Sequence, residues 1–274
     1  MSGDDTRRVL LQRDGPIARL VLNRPDSANA LDPATCAELF ERAAEVEGDP
    51  DVRVLVFTAK GTNFSVGGDL SSLLPMIELP PAARAPAMEN NVVQMANRFC
   101  HIMDRLPVPV IASVRGGVVG GGLGFACGAD FIIASETAYF LPAHIHVGLP
   151  PDGGESWHLP RLVGPARAKA MLMLGEKVDA AQALAIGLVY KVVPDAELED
   201  ETAHLAARLA ASPSHAIAGV KTLVNRMGQH GFSDHLQMEA RIMGDAARSS
   251  DFPEGVRAFA ERRKPVFGGQ DADT

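Results

Sequence analysis

Residues 61–69 read GTNFSVGGD, and residues 120–124 read GGGLG. Each glycine-rich stretch follows an apolar run typical of a strand, so each can present backbone N–H groups at a strand end or at a helix start. Such donors stabilise developing negative charge, and glycine lets the backbone approach a ligand closely. Tight turns and close packing are the competing explanation, which glycine content alone favours. The surrounding sequence therefore has to decide between them.

The bulk composition is that of a globular protein. The chain has 274 residues, of which 46% are hydrophobic and 22% charged, so long disorder is not expected. This length suits one large domain, or a domain with a small appendage. Apolar runs such as residues 108–114 are too short to span a bilayer, and the first residues lack a signal-peptide pattern. We therefore expect a cytosolic protein that does not enter membranes.

Charge and cysteine content exclude several other classes. A net charge of −8 does not favour a nucleic-acid-binding protein, which usually carries a basic patch. An anionic substrate needs a local basic feature, and residues 261–264, ERRK, are the strongest candidate. The cysteines are Cys36, Cys100 and Cys127, an odd number without metal-site spacing, so we expect reduced and mostly buried thiols.

The local patterns predict a strand-bearing core followed by a helical tail. In chain order they predict a hairpin of strands 9–11 and 17–22, a helix from Pro33 to Gly48, a strand at 52–57, a helix over 88–106, and strands at 110–114 and 131–134. From Pro160 onward there are at least four helical stretches and little strand signal. We therefore predict an α/β fold, with a core domain at 1–200 and a C-terminal helical subdomain at 201–274.

Several separated motifs, taken together, resemble the crotonase superfamily of enoyl-CoA hydratases and isomerases. Residues 61–70 are similar to its first oxyanion motif, and residues 114–122 are similar to its second. Residues 22–31, LNRPDSANAL, resemble its N-terminal signature, residues 159–164 and 180–189 its central helices, and residues 259–269 its ending. The resemblance covers about residues 8 to 269. It implies a spiral core of ββα units with a C-terminal helical trimerisation subdomain.

The resemblance also implies a binding site for an acyl-CoA thioester. The N–H groups of Gly68 and Gly121 would hold the thioester carbonyl. The coenzyme A portion would be lined by Asp26, Ala28, Ser65, Val66, Gly67 and Asp69. Lys264, with Arg262 and Arg263, would approach the CoA phosphates from a neighbouring subunit, although a basic cluster at a helix end also simply complements the helix dipole.

No further cofactor is expected, because coenzyme A would arrive as part of the substrate. No His/Cys/Asp cluster has metal-ligand spacing, so no metal site is predicted. Family members usually assemble as trimers or dimers of trimers, and we expect a homotrimer or hexamer. The apolar residues of the tail that would serve this packing are Ile217, Val220, Leu223 and Val224.

The hydratase glutamates of the family are missing. Family hydratases carry one glutamate shortly after the second glycine cluster and another about twenty residues later. Here these positions are occupied by Gly124 and His144. Because glycine cannot act as a base, the two-glutamate hydration mechanism is not expected.

Asp152 is the candidate acid/base in their place. It lies in residues 148–154, GLPPDGG, where the Δ3,Δ2-enoyl-CoA isomerases and the ring-opening isomerases of the family carry their acidic residue. Asp-Gly-Gly is also an ordinary turn sequence. In the family context we favour an isomerase, since one carboxylate can move a proton from C2 to C4. The alternatives are an atypical hydratase, a hydrolase or dehalogenase-like enzyme with Asp152 as nucleophile, and a non-catalytic acyl-CoA-binding or RNA-binding relative.

His144 is included among the catalytic candidates. If residues 144–146 are extended, His144 and His146 share one face and Ile145 takes the other. His144 would then be a second proton carrier, a wall of the acyl pocket, or a hydrogen-bonded core histidine. Glu155, Trp157 and His158 are close in sequence, but no role is assigned to them.

Overall fold

The structure, a computed structural model, describes residues 7–268. A six-stranded sheet lies at its centre, in the order β1-β2-β3-β4-β6-β9. Its strands are β1 (Val9–Asp14), β2 (Ile17–Leu22), β3 (Val54–Ala59), β4 (Val110–Val114), β6 (Phe131–Ser135) and β9 (Lys191–Val193). β1 and β2 form an antiparallel hairpin, and the remaining neighbours pair in parallel. The α/β class and the β1–β2 hairpin are confirmed.

A second sheet of three strands packs beside the first. It consists of β5 (Gly117–Val119), β7 (Tyr139–Leu141) and β8 (Val178–Asp179), in the order β5-β7-β8. Isolated bridges join Leu31 to Gly68 and Ser65 to Val118, so the first glycine stretch connects to both sides of the fold. The sequence patterns missed all three strands of this sheet and also β9, because strands of two or three residues carry almost no periodicity.

Helices cover both faces of the large sheet. They are α1 (Pro33–Glu47), α2 (Leu74–Ile77), α3 (Pro81–Met88), α4 (Gln94–Arg105), α5 (Gly121–Cys127), α6 (Glu155–Val163), α7 (Pro165–Leu174), α8 (Ala180–Ala185), α9 (Leu198–Ala210), α10 (Ser214–Arg226), α11 (Phe232–Ala246) and α12 (Asp251–Glu261). Short 3-10 helices lie at Pro25–Ser27, Leu70–Leu73, Ala143–Val147 and Asp195–Glu197. Leu55 and Phe57 of β3 face the core that contains α1, α4 and α5, while Val54 and Val56 face α9.

Several element boundaries differ from the sequence prediction. β1, predicted to end at residue 11, extends to Asp14. The helix predicted at 88–106 is the second half of a longer helical segment, in which a π-helical turn at Glu89–Val93 joins α3 to α4. β3 starts two residues later than predicted. By contrast, α1 begins as expected, because the Asp32 carboxylate accepts a hydrogen bond from the Thr35 N–H at 2.7 Å.

The predicted boundary between residues 200 and 201 falls inside α9. This helix packs on the sheet, and its buried Thr202 hydroxyl lies 2.8 Å from the Ser113 hydroxyl of β4. A boundary after Ala210 therefore keeps α9 with the core. The division into two units, which extends to residue 274, stays a prediction.

Candidate active site

A cavity of about 530 Å³ lies between the two glycine stretches, the start of α1 and the 3-10 helix Ala143–Val147. Most of its wall is apolar, with Leu31, Leu73, Met88, Val92 and Phe125 among the lining residues. Gly68, Gly121, His144 and Asp152 also line it. The four residues predicted to be catalytic thus line the same, mostly apolar cavity, which is typical of a ligand-binding site.

The Gly68 N–H points away from its neighbouring strand. The carbonyl oxygen of Gly67 accepts a hydrogen bond from the Leu31 N–H at 2.8 Å, and the Asp69 N–H donates back to the Leu31 carbonyl at 2.9 Å. In a planar trans peptide the N–H points opposite to the preceding C=O. Because the Gly67 carbonyl points at Leu31, the Gly68 N–H points to the other side, where the cavity lies.

Gly121 presents its N–H by the same rule. The carbonyl oxygen of Gly120 accepts the first helical hydrogen bond of α5, from the Gly124 N–H at 3.0 Å. The Gly121 N–H therefore points out of the start of α5, where a helix leaves its first N–H groups without an internal partner. Two backbone donors thus border one cavity, as an oxyanion hole requires.

Ser65 supports the loop that carries the Gly68 N–H. Its buried hydroxyl donates to the Asn29 carbonyl at 2.8 Å and accepts from the Gly67 N–H at 3.1 Å. Gly67 has φ +84°, and a Cβ there would lie 2.8 Å from the Val119 carbonyl oxygen, so this position requires glycine. Ser65 is fully buried and is not among the residues that line the cavity, and its predicted place along the coenzyme A path stays a prediction.

Asp152 is the carboxylate that reaches the cavity beside Gly121. A Cβ added to Gly121 would lie 3.7 Å from Asp152 Oδ1. Two residues with positive φ follow it, Gly153 at +58° and Gly154 at +80°, and they turn the chain into α6. The Asp-Gly-Gly sequence is therefore a turn, and this turn carries its carboxylate into the cavity.

The first hydratase glutamate position has no room for a side chain. A Cβ on Gly124 would lie 2.5 Å from the carbonyl oxygen of Gly153 and 3.2 Å from that of Asp152. The backbone that delivers Asp152 therefore occupies the space that a residue-124 side chain would need. A side chain at residue 124 and the present course of the Asp152–Gly153 backbone therefore exclude each other.

His144 lies between two carboxylates. Its Nε2 is 3.0 Å from Asp152 Oδ1, within hydrogen-bond distance, and its Nδ1 is 3.1 Å from Glu155 Oε2. The Glu155 approach lies off the hydrogen-bond axis, so we describe it as an ion pair. Burial on its own disfavours the charged ring, but the hydrogen bond to Asp152 and the negative charges of Asp152 and Glu155 raise the pKa of His144 to about 9.

Residues 144–146 are not extended, so the expectation that His144 and His146 share one face of a strand is wrong. These residues belong to the 3-10 helix Ala143–Val147, which ends at Gly148 with φ +73°. The two histidines bond in different directions, since His146 Nε2 lies 3.0 Å from the Gly175 carbonyl oxygen. The 3-10 helix places His144 against Glu155, the first residue of α6.

Glu155 is the site residue to which sequence reasoning assigned no role. It is the first residue of α6, and its side chain is fully buried. Burial raises the pKa of Glu155, and the nearby His144 opposes this shift. A glutamate close after the Asp-Gly-Gly turn was visible in the sequence, but only the turn's geometry directs it under His144.

The other predicted binding residues divide into two groups. Val66, Gly67 and Asp69 line the cavity. The Asp69 carboxylate is held by the Ser71 hydroxyl and N–H and by Arg24, which lower its pKa. Asp26 is exposed, and Ala28 connects to the cavity through its carbonyl, which accepts from the Val66 N–H at 3.1 Å.

Lys264 is exposed after α12 and is absent from the wall of this cavity. The final residue of the C-terminal motif, Gly269, lies outside the described residues.

Among residues 7–268 no group of three His, Cys, Asp or Glu side chains is arranged to hold a metal ion. In the same range, no helix has the length and apolar character needed to cross a membrane.

Comparison with known proteins places this geometry in a family. A family model described as enoyl-CoA hydratase/isomerase matches residues 12–270. The chain is 34% identical to trans-2-decenoyl-[acyl-carrier-protein] isomerase of Streptococcus mutans, over 97% of this chain and 100% of that protein. It is 35% identical to 1,2-epoxyphenylacetyl-CoA isomerase of Escherichia coli, over 96% of this chain and 98% of that protein.

Solved structures agree with the sequence relatives. An enoyl-CoA hydratase from Polaromonas sp. JS666 superposes with a TM-score of 0.87 at 31% identity, covering 95% of this chain and 99% of that chain. The predicted resemblance, the fold and the enzyme class are thus confirmed at the level of the family. With its paired glycine stretches around one apolar cavity, this chain belongs to the enoyl-CoA hydratase/isomerase family.

Proposed function

We propose that this chain is an enoyl-CoA isomerase, in which Asp152 is the acid/base and the N–H groups of Gly68 and Gly121 bind the oxyanion. The observation that carries the proposal is the placement of one carboxylate beside Gly121 while backbone fills the space next to Gly124. Two relatives that are named isomerases support it. A hydratase of the two-glutamate type would need a carboxylate at residue 124.

The proposed reaction moves one proton. Asp152 removes a proton from C2 of a 3-enoyl thioester, and the electron pair shifts onto the thioester oxygen to give a dienolate. Gly68 and Gly121 stabilise that oxygen, and loss of one such donor typically costs about 2.7–4 kcal/mol. Asp152 then returns the proton to C4, which leaves a 2-enoyl thioester and restores the carboxylate. The apolar wall excludes water that would compete for the dienolate.

Coenzyme A is proposed to enter as part of the substrate, with no permanently bound cofactor. Its path would run along Asp26, Ala28, Val66, Gly67 and Asp69, above the supporting Ser65. Lys264 would contact the CoA phosphates of a neighbouring subunit, because in its own chain it is absent from the cavity wall.

The assembly that fits this role is a homotrimer or hexamer in the cytoplasm. α10, α11 and α12 enclose an apolar groove of about 970 Å³, lined in part by Val220, Leu223, Met243 and Phe252. Val220 is 62% exposed and Met243 is 74% exposed in the single chain. Apolar surface of this extent favours burial against other copies, as expected for a trimerisation subdomain.

The experiment offers 3-enoyl-CoA and 2-enoyl-CoA separately to the wild type and to Asp152→Asn. We expect the wild type to convert the 3-enoyl substrate, and Asp152→Asn to lose about 10²–10⁴-fold in kcat with little change in KM. Full activity in Asp152→Asn would show that Asp152 is not the base. Hydration of 2-enoyl-CoA by the wild type would favour a hydratase. A covalent acyl adduct on Asp152 would favour a hydrolase. Binding of acyl-CoA without turnover would favour a non-catalytic relative.

A further inference from the structure

Three polar groups form a continuous row from the cavity into the protein. Asp152 and His144 both line the cavity and lie 3.0 Å apart, and Glu155 lies behind His144 at 3.1 Å. The side chains become steadily more buried along the row, with exposed fractions of 23%, 16% and 0%. In the described part of the chain, Asp152 Oδ2 has no hydrogen-bond partner.

Among residues 7–268, the one charged partner of Glu155 is His144. A fully buried carboxylate needs a compensating charge or hydrogen-bond donors, and the His144 ring is the group within reach. The ring in turn can satisfy both carboxylates only when both of its nitrogens carry protons. The geometry therefore couples the charge of His144 to the placement of Asp152.

The other titratable groups near these three side chains do not replace His144 as the charged partner of the two carboxylates. Burial raises the pKa of Cys36 and Cys100 to about 12 and raises that of Cys127 as well, so these thiols stay neutral. Burial lowers the pKa of His158 on α6. Within the 3-10 helix itself, His146 bonds to a backbone carbonyl. The charged residues of the adjacent helix α7, Arg167 and Lys169, are exposed.

We propose that Glu155 and His144 are positioning residues for Asp152: the Glu155 carboxylate fixes the ring through Nδ1, and the ring fixes Asp152 Oδ1 through Nε2. This leaves Oδ2 to take the proton from C2 and return it to C4. The assignment of the moving proton to Oδ2 rests on the proposed isomerase function, while the coupling of the three side chains does not.

The row has a consequence for pH. While His144 is charged, both carboxylates are held. When the ring loses a proton above pH 9, one nitrogen presents a lone pair to a carboxylate, and repulsion breaks one of the two contacts. Asp152 loses its fixed orientation in either case, because the contact that breaks is its own bond to Nε2 or the Glu155 contact that holds the ring; its charge is unchanged. Isomerisation should therefore decline through pH 9 as His144 is titrated.

The first test is independent of activity and uses NMR titration of ¹⁵N-histidine-labelled protein. The His144 signals are assigned by their absence from His144→Gln. We expect His144 to titrate near pH 9 in the wild type, and at least one unit lower in Glu155→Gln. Titration of wild-type His144 near the ordinary value of 6.5, or no shift in Glu155→Gln, would overturn the proposal whatever the reaction is.

The second test compares the pH dependence of kcat for the 3-enoyl substrate. In Glu155→Gln the amide can donate to Nδ1, so a neutral ring keeps its Nε2–H for Asp152 and the decline near pH 9 disappears. In His144→Gln the decline is absent as well, and kcat at pH 7 falls about tenfold with KM little changed, since Asp152 is less well oriented. The matched control Glu136→Gln alters an exposed glutamate and should keep the wild-type profile.

The two proposals fail in different ways. A decline near pH 9 that persists in both site variants, each shown by circular dichroism to be folded, would exclude His144 as its source. Full activity of Asp152→Asn would instead refute the isomerase assignment, and the NMR result for the His144–Glu155 coupling would stand. A purely structural role for Glu155 predicts a lower melting temperature without any change in the pH profile.

Discussion

A β-carbon on Gly124 would lie 2.5 Å from the carbonyl oxygen of Gly153. Real Cβ atoms do not approach carbonyl oxygens so closely, so this position requires glycine as long as the Asp152–Gly154 turn keeps its course. The same contact joins α5, which carries the proposed oxyanion donor Gly121, to the turn that carries the proposed base Asp152. The placement of each is thereby tied to that of the other.

Gly124→Ala should therefore disturb both stability and catalysis. We expect a loss of about 1–3 kcal/mol in the free energy of unfolding from overpacking, together with reduced isomerase kcat, because the turn must move with Asp152. Chemical denaturation and initial rates measure the two effects. Gly48→Ala is the control, since its Cβ would make an ordinary 3.6 Å contact. A Gly124→Ala protein of wild-type stability would contradict the predicted clash.

Gly121→Ala should separate catalysis from stability. The new methyl group would make ordinary contacts, 3.5 Å from Leu31 Cδ1 and 3.7 Å from Asp152 Oδ1, but it would fill space between donor and base. We expect kcat/KM to fall at least about tenfold, which corresponds to about 1.4 kcal/mol, while the melting temperature stays near that of the wild type. Gly244→Ala on α11 meets no atom within 4 Å and should leave the rate unchanged.

The stability of the protein should depend on pH through His144. The pKa of its ring is about 9 in the folded protein, above its ordinary value of 6.5, so the folded state binds this proton more tightly. The resulting stabilisation is complete below pH 6.5 and is lost as pH rises to 9. It amounts to at most about 3 kcal/mol. Denaturation of wild type and His144→Gln across this range measures it, and the difference between the two should shrink as pH rises.

Lys221 should be important for attaching α10 to the core. Its buried ammonium group donates to Asp130 Oδ2 at 2.8 Å and to the Val108 carbonyl at 3.1 Å. Lys221→Ala leaves a half-buried carboxylate without its cation, and we expect a loss of about 3–5 kcal/mol in unfolding free energy. Lys191→Ala breaks an exposed pair with Glu201 and should cost no more than about 1 kcal/mol. Equal effects of the two variants in urea denaturation would be inconsistent with this role.

Met243→Glu tests the proposed assembly. The side chain is 74% exposed in the single chain and lies beside the apolar groove of α10–α12. A charge buried at a subunit interface is costly, so we expect the mass measured by analytical ultracentrifugation to fall toward that of one chain. Gln12→Glu on an exposed strand position should keep the wild-type mass. A wild-type mass for Met243→Glu would place the subunit interface elsewhere.

Local sequence chemistry predicted the elements that depend on neighbouring residues. Gly15, at φ +54°, begins the hairpin turn, although Arg13 and Asp14 of the predicted turn pair within β1, and Asp32 with Pro33 supplied the start of α1. The π-helical turn at Glu89–Val93 was missed, since no residue pattern distinguishes it from ordinary helix. β5, β7, β8 and β9 were missed because pairing with distant strands creates them.

The candidate site was predictable as far as family motifs reached. The sequence identified Gly68, Gly121, His144 and Asp152, and all four line one cavity. It did not assign Glu155 a role, because the link to His144 depends on two consecutive residues with positive φ, Gly153 and Gly154, that turn α6 under the 3-10 helix. The burial of Ser65 could not be predicted either, because a sequence motif does not indicate the direction of its side chains.

Both proposed oxyanion donors belong to the peptide backbone, and this affects how such a site evolves. Every encoded amino acid except proline keeps an N–H, so most codon changes at positions 68 and 121 alter the space around the donors without deleting them. The side chains of His144, Asp152 and Glu155 have no such protection. Substitution therefore preserves the proposed anion-binding donors more readily than the proposed proton-handling groups. Similar proteins are accordingly named isomerases and dehydratases alike.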